Sequence, residues 1–261
     1  MTSCNAKDEP LTGASAASAP SSCDGPGPDS AYTCQSMTPW KVSDTLAYGF
    51  AAVPATGDIC GRCYQVEFTG ASHNAGNDPG SAALEGKTMI VQATNIGYDV
   101  GNGQFDILIP GGGVGAFNAC SYQWGQGDLG AQYGGFLLQC KQQTPGASHE
   151  ANKACVKAKC DSVFQDPSQA ELRDACTWFT GWYEAADNPN LRYAEVACPD
   201  AIVKASGVDR RPLADIKACG GGGGGACTPE QQAACDCSWT NGGAACGSDD
   251  GSCCWKACCG G

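Results

Sequence analysis

The sequence predicts a mainly β protein that is held together by disulfides and carries long loops and a few short helices. Residues 63–69 alternate Tyr, Val and Phe with Gln and Glu, the pattern of a half-buried strand. Residues 88–93 form a second, more apolar strand segment. Twenty cysteines accompany only two histidines and no zinc-type spacing, so we expect disulfide bonds and an oxidising compartment. Metal binding by the paired cysteines near the C-terminus is the alternative.

Other elements follow from short apolar runs and turn residues. Further strands are predicted at residues 105–109, 136–140 and 191–197, and helices at residues 151–160, 168–177 and 199–206. The first 31 residues are rich in Ser, Ala, Gly and Pro. We expect them to form a loop that is tied down by Cys4, Cys23 and Cys34.

Six consecutive glycines at residues 220–225 have the composition of a flexible connector. They divide the chain into a body (residues 1–219), a linker (residues 220–226) and a cysteine-rich tail (residues 227–261). The tail holds eight cysteines and two tryptophans. Such a segment is too short for an ordinary core, so we expect disulfides to hold it.

Charge and hydropathy exclude several classes of partner. The net charge of −12 argues against electrostatic binding of nucleic acid and suits a neutral polymer. No apolar run approaches the length of a membrane span. Met1 leads directly into polar sequence without a signal peptide, so we interpret it as a start added to a mature form. We expect a soluble, secreted monomer.

Residues 97–120 contain the candidate chemistry. Asp106 lies near the start of the apolar segment 105–109, and Asp99 lies on a loop between Gly97 and Gly101. Two carboxylates beside a glycine-bearing loop suit acid–base catalysis. The structural alternative makes Asp99 a turn residue and Asp106 a strand-edge carboxylate. Residues 111–113 are three consecutive glycines, which suit tight turns or close approach to another segment or a ligand.

The motif F-D-I-L-I-P-G-G-G-V-G-A-F-N-A-C at residues 105–120 resembles the signature of the glycoside hydrolase family 45 endoglucanases. Five further blocks resemble family blocks in the same order: residues 38–52, 60–69, 86–94, 132–135 and 186–199. The resemblance covers residues 3–212. It implies a six-stranded double-psi β-barrel and the endo-hydrolysis of β-1,4-glucan with inversion.

The resemblance also implies roles for individual residues. Asp106 would be the general acid, and Asp99 would be an assisting carboxylate on the loop over the cleft. Apolar Phe105 and Ile107 on either side of Asp106 would favour its protonated form.

In the family the catalytic base lies in an N-terminal sequence block. This block is absent from the front of this chain, so the base is not identified. In one account the barrel is circularly permuted and the tail carries the displaced block. Asp236 is then the first candidate for the base, and Asp250 or Asp249 is the second. In the other account the tail is a carbohydrate-binding module that uses Trp239 and Trp255. Asn95 would then stand in for the base, as in divergent relatives.

Aromatic side chains are candidates for stacking on sugar rings. We predict Trp124, Tyr133 and Trp182 as substrate-binding residues. Trp182 lies in an aromatic cluster with Trp178, Phe179 and Tyr183, and the alternative for this cluster is packing against the flank of the barrel.

Taken together, these features predict a secreted endo-β-1,4-glucanase that needs no metal or organic cofactor. An expansin-like protein that loosens cellulose without cutting it is the main alternative. A lyase or a hydrolase of another polysaccharide on the same barrel is a further one, because one fold hosts many chemistries. A disulfide-rich structural protein without enzymatic activity is the last alternative.

Overall fold

The computed structural model describes residues 2–54, 59–74, 76–97, 100–101 and 103–210. The strands are β1 Ser3–Cys4, β2 Tyr32–Thr33, β3 Trp40–Lys41, β4 Leu46–Pro54, β5 Cys63–Ser72, β6 Thr88–Gly97, β7 Asp106–Ile107 and β8 Pro189–Val196. The helices are α1 Gly13–Ser18, α2 Pro79–Ala83, α3 Cys120–Trp124, α4 Gly135–Gln143, α5 His149–Val163, α6 Ala170–Thr180 and α7 Asp200–Ser206, with a 3-10 turn at Pro167–Gln169 before α6.

The main sheet is built around two long apolar strands, β4 and β6, which run parallel to each other. The strand order is β3-β4-β6-β5-β8, and β7 pairs with β4 beside this path. All pairings other than β4–β6 are antiparallel. In the part of the chain that the structure describes, these pairings form an open path and do not close into a ring. The predicted β-rich core is therefore confirmed at the level of a six-stranded sheet.

Both faces of the sheet are covered, which explains why β4 is apolar along its whole length. On one face, Ala47 and Met89 pack with Phe136, Val156 and Leu172 of helices α4, α5 and α6. A second cluster on the other side of β4 contains Phe50, the Cys63–Cys198 disulfide and Ile202 of α7. The sheet is thus the middle layer, and α4–α6 form an outer layer on one side.

Disulfides connect the layers, as the cysteine content predicts. Cys140–Cys155 joins α4 to α5, and Cys160–Cys176 joins α5 to α6. Cys63–Cys198 joins β5 to the segment before α7, and Cys4–Cys34 closes the N-terminal loop. Among the described cysteines, Cys23, Cys60 and Cys120 have no disulfide partner, so the tie that Cys23 would give the N-terminal loop stays a prediction.

The prediction of a strand at residues 136–140 is wrong, because this segment lies in α4. Phe136, Leu137 and Cys140 are the buried residues, at a spacing that places them on one face of a helix. A short apolar run does not distinguish a strand from a buried helix by its pattern alone. The contact with α5, fixed by Cys140–Cys155, decides in favour of the helix.

The other predicted helices and strands are confirmed with shifted ends, whereas the N-terminal segment that was predicted as a loop contains β1 and α1. The helices predicted at residues 151–160, 168–177 and 199–206 correspond to α5, α6 and α7. Gly207 ends α7 with a φ of 70°, a left-handed conformation that glycine adopts without strain. The strand predicted at residues 105–109 is shortened to the two residues of β7. No helix within the described ranges is both long and apolar enough to cross a membrane.

Asp78 connects α2 to the chain that leads into β8. Its Oδ2 accepts hydrogen bonds from Ser81 N at 2.7 Å, Ser81 Oγ at 2.8 Å and Asp187 N at 3.0 Å. Burial acts to raise the pKa of Asp78, but the hydrogen bonds from Asp187 and Ser81 outweigh it, so the pKa lies below its ordinary value. A carboxyl with a lowered pKa in the folded state stabilises the fold above the unfolded pKa, and this contribution is lost as pH falls.

We therefore expect Asp78→Ala to lower the free energy of unfolding by about 1–2 kcal/mol at pH 7, the usual cost of losing such a cap. The loss should shrink below about pH 4, where the carboxyl is protonated in the unfolded chain. Urea unfolding at pH 7 and pH 3 measures both values. Asp161→Ala, which removes only an exposed pair with Lys157, is the control and should cost less than about 1 kcal/mol. An Asp78→Ala penalty that is equal at the two pH values would contradict this assignment.

Candidate active site

Asp106 lies on β7, a two-residue strand at the side of β4. Asp106 is paired with Ala52 and Ile107 with Ala51, and Leu108 N donates to Phe50 O at 2.9 Å. The side chains alternate between the two faces. Phe105, Ile107 and Ile109 pack on the cluster beneath α4–α6, whereas Leu108 packs on the second cluster. By this alternation Asp106 lies on the same face as Leu108, and it is exposed.

Asn95 lies on the other side of β4, at the same level as Asp106. Ala52 is paired with Asn95 of β6 and with Asp106 of β7. Residues that are directly paired across a sheet place their side chains on the same face. The register of β4 and β6 shifts between Ala51 and Ala52, which sets Asn95 opposite Ala52. The structure therefore brings the exposed residues Asn95 and Asp106 to one face of the sheet, with the small side chain of Ala52 between them.

The separation of these two residues suits a reaction that needs two groups and a water molecule. Two strand spacings place the backbones of Asn95 and Asp106 about 9–10 Å apart. In inverting glycosidases the two catalytic carboxyl groups are about 6.5–9.5 Å apart, which leaves room for the attacking water. Asn95 is exposed, and its Oδ1 accepts a hydrogen bond from Ile96 N at 2.9 Å.

Two other predicted site residues, Asp99 and Asp236, lie outside the described residues, as do the tail candidates Asp249, Asp250, Trp239 and Trp255. Their roles stay predictions.

The glycine run packs against the chain that enters α4. Phe136 N donates to Gly111 O at 2.8 Å, and Gly115 N donates to Gln132 O at 3.0 Å. Gln132 Nε2 donates back to Gly115 O at 3.0 Å. A Cβ on Gly113 would lie 2.7 Å from Gln132 O. The run therefore has no side chains because two backbone segments come into contact here.

Gly135 is the tightest point of this contact. It has a φ of +51°, and a Cβ there would lie 1.9 Å from Gly111 O. We expect Gly135→Ala to cost more than about 3 kcal/mol, because neither backbone segment can move away without breaking its hydrogen bonds. Thermal unfolding should show a loss of more than about 6 °C. Gly125→Ala is the matched control: its φ is +64°, but no atom lies within 4 Å of the added Cβ. Equal losses for the two variants would show that backbone strain alone, and not the contact, matters.

The three predicted aromatic residues differ in exposure. Tyr133 is 62% exposed and is free to stack on a ligand. Trp182 is only 7% exposed; its Nε1 donates to Ser43 O at 2.9 Å, and its ring stacks on Trp178. Trp124 is half-buried and packs edge-on against Phe164 with ring centroids 5.4 Å apart. The placement of Trp182 agrees with the alternative in which the aromatic cluster packs the core.

Two exposed aromatic residues were missed by the sequence analysis. Phe117 is 63% exposed and lies two residues after Gly115. Tyr122 of α3 is 48% exposed, and its ring stacks on Tyr32 with centroids 6.5 Å apart. The bonds between Gly115 and Gln132 place Phe117 and Tyr133 on adjoining loops. A bulky apolar residue four positions after the glycine run was the available signal for Phe117.

Metal ligands are not assembled at this site. Among the described residues, the one group with ligand-type atoms close together is Cys4, Asp8 and Cys34. Both of these cysteines are used in a disulfide, so they offer no thiolate to a metal.

An exposed acid, placed across Ala52 from a second polar group and followed in the chain by a glycine run, is an arrangement that suits glycoside hydrolysis. The chain matches the profile of glycosyl hydrolase family 45 over residues 1–209. The chain belongs to this family.

Individual relatives agree with this assignment. Endoglucanase B of Cellvibrio japonicus is 58% identical over 220 residues, which are 83% of this chain and 42% of that protein. The endoglucanase of Cryptopygus antarcticus is 33% identical over 198 residues, 74% of this chain and 71% of that protein. The crystal structure of a cellulase from the same Antarctic springtail superposes with a TM-score of 0.58 at 32% identity, covering 81% of this chain and 85% of that chain. The chain spans less than half the length of the Cellvibrio protein.

Proposed function

We propose that this protein is a secreted endo-β-1,4-glucanase that hydrolyses cellulose or a related β-glucan with inversion. The observation that carries the proposal is the position of Asp106, the acid of the family signature, across Ala52 from Asn95 on one face of the sheet. The names of the related endoglucanases support the same substrate class. The six-stranded double-psi barrel belongs to this proposal, and the described sheet supplies six strands for it.

The reaction needs one proton donor and one oriented water. Asp106 in its protonated form donates a proton to the glycosidic oxygen while the bond between that oxygen and the anomeric carbon breaks. A water molecule attacks the anomeric carbon from the opposite face and gives up a proton. Asp99, seven residues before Asp106 in the sequence, assists by its negative charge, which stabilises the positive charge that develops on the sugar. Tyr133 and Phe117 supply rings on which neighbouring sugars can stack.

Two residues are candidates for activating the water. Under a permuted arrangement, the carboxylate of Asp236 takes the proton from the water. Under the alternative, Asn95 orients the water through its side-chain oxygen and the proton passes to solvent. Asn95 is supported by its position opposite Asp106.

The described disulfides leave three cysteines of the body available for a bridge to the tail. Cys23, Cys60 and Cys120 are unpaired in the described part, and nine of the twenty cysteines lie beyond residue 210. The body (residues 1–219) holds twelve cysteines and the tail (residues 227–261) holds eight, both even numbers, so the permuted arrangement allows a bridge between them but the cysteine count does not require one. Peptide mapping of the unreduced protein detects such a bridge.

Partners follow from the same proposal. The substrate is a neutral β-1,4-glucan, and an acidic monomer with a net charge of −12 has no means to attract nucleic acid. The oxidised cysteines support secretion.

Hydrolysis of carboxymethyl cellulose tests the function. We expect the intact chain to release reducing ends together with a rapid fall in viscosity, the sign of cleavage within the polymer. Proton NMR of a cello-oligosaccharide digest should show the α-anomer forming first, as inversion requires. Release of the β-anomer first would overturn inversion. Cellulose binding without any release of reducing ends would replace the proposal with the expansin-like alternative.

A further inference from the structure

Three aromatic rings meet beside the strand that carries Asp106. The ring centroid of Phe105 lies 5.0 Å from that of Tyr193 and 5.5 Å from that of Tyr64, and the two tyrosine rings are 6.1 Å apart. Their interplanar angles of 63°, 69° and 75° make every contact edge-to-face. Aromatic rings prefer this geometry, which adds to the stabilisation that their buried area supplies. We call Tyr64, Phe105 and Tyr193 the aromatic triad.

The triad joins parts of the sheet that backbone hydrogen bonds leave apart. Tyr64 lies on β5, Tyr193 on β8, and Phe105 directly precedes β7. The described pairings attach β7 to β4, whereas β8 is three strands away from β4 along the sheet. The ring of Phe105 therefore connects the strand of Asp106 to the far edge strand through side chains. Burial raises the pKa of Tyr64 to about 12, so its hydroxyl is neutral at pH 7.

The chain that precedes Asp106 turns at Gly101 and Gln104, where Gln104 N donates to Gly101 O at 3.0 Å and Gly101 N donates to Gln104 Oε1 at 2.7 Å. β7 has two residues, so its ladder with Ala51 and Ala52 is short. Gly103 and Gln104, which lead into it, are exposed, and Gly103 lies against the triad, since a Cβ there would be 3.9 Å from Tyr193 Cε1. Phe105 is thus the packed residue on this side. Because it is bonded directly to Asp106 and packs on the opposite face, any displacement of its ring also displaces the carboxyl.

We propose that Tyr193, together with Tyr64, is a positioning residue for the general acid: the two rings hold Phe105 and so aim the carboxyl of Asp106. This proposal rests on the proposed function, in which Asp106 is the acid. Displacing a catalytic group by about 1 Å can cost about 100-fold in rate. Loss of the triad should therefore lower kcat and leave substrate binding nearly unchanged, because the exposed rings of Tyr133 and Phe117 lie on other loops.

The test compares Tyr193→Ala with Tyr193→Phe in the full chain, on a soluble β-glucan. We expect the Ala variant to lose at least about tenfold in kcat with KM within about twofold, since the effect is on the position of the reacting group. The Phe variant keeps the ring and should stay within about twofold of the unmodified protein. Tyr48→Ala is the matched control: it removes a ring that meets Trp40 edge-on at 5.6 Å on the same sheet, away from β7. It should lower the unfolding temperature and leave kcat unchanged.

Several results would overturn the proposal. A Tyr193→Ala variant with unchanged kcat would show that the ring does not position the acid. Equal losses in the Ala and Phe variants would assign the effect to the hydroxyl, and an equal loss in Tyr48→Ala would assign it to general destabilisation. If Tyr193→Ala does not fold, Phe105→Leu, which keeps apolar bulk without a ring, should show the same selective loss of kcat. Failure of the proposed function is recognised separately, because then the unmodified chain cuts no glucan or Asp106→Asn cuts it normally.

Discussion

Replacement of Asp106 by Asn is expected to abolish the hydrolysis of β-glucan while leaving glucan binding intact. The amide has nearly the same size as the carboxyl but cannot donate an acidic proton to the glycosidic oxygen. General acid catalysis contributes about 10²–10⁴-fold to rates of this kind, so reducing-end release should fall by at least about 100-fold. The side chain is exposed on a strand edge, so the substitution leaves the core unchanged.

Reducing-end release from carboxymethyl cellulose measures the loss, and depletion onto insoluble cellulose measures binding. Asp161→Asn is the control, because this carboxylate is also exposed but lies on α5 and pairs only with Lys157. Its activity should equal that of the unmodified protein. Hydrolysis within about tenfold of the unmodified rate in Asp106→Asn would remove Asp106 from the role of acid.

Truncation after Cys219 is expected to abolish hydrolysis as well, because under the permuted arrangement residues 220–261 supply the base. The truncated chain keeps all four described disulfides and both hydrophobic clusters, so we expect it to fold. The loss should exceed about 100-fold, the usual contribution of a general base. Asp236→Asn in the full chain should reproduce most of this loss without removing any residue.

Each outcome of the truncation assigns the base differently. Circular dichroism and thermal unfolding establish that the truncated chain is folded. A folded truncation that still cuts soluble glucan contradicts the prediction, makes the tail a binding module and moves the base to Asn95. In that event Asn95→Ala in the truncated chain should lose the remaining activity. If the full and the truncated chain both bind cellulose and neither cuts it, the expansin-like alternative replaces hydrolysis.

The local sequence determined those features that depend on neighbouring residues. The alternating pattern of β5 and the apolar run of β6 are properties of a few consecutive residues, and both strands are present. Gly207 marked the end of α7 because left-handed backbone favours glycine. The signature around Asp106 identified the strand and the glycine run, and with them the family.

Tertiary structure decided what depends on distant partners. Residues 136–140 have an apolar pattern that fits either a strand or a helix, and only packing against α5 selects the helix. Trp182 and Tyr133 were both predicted to bind substrate because they are aromatic. In the structure the ring of Trp182 lies in the core and that of Tyr133 faces solvent. The alignment of Asn95 with Asp106 arises from a register shift between two strands that are far apart in sequence. Registers, disulfide partners and burial are set by contacts between segments, and a single sequence carries no local signal for them.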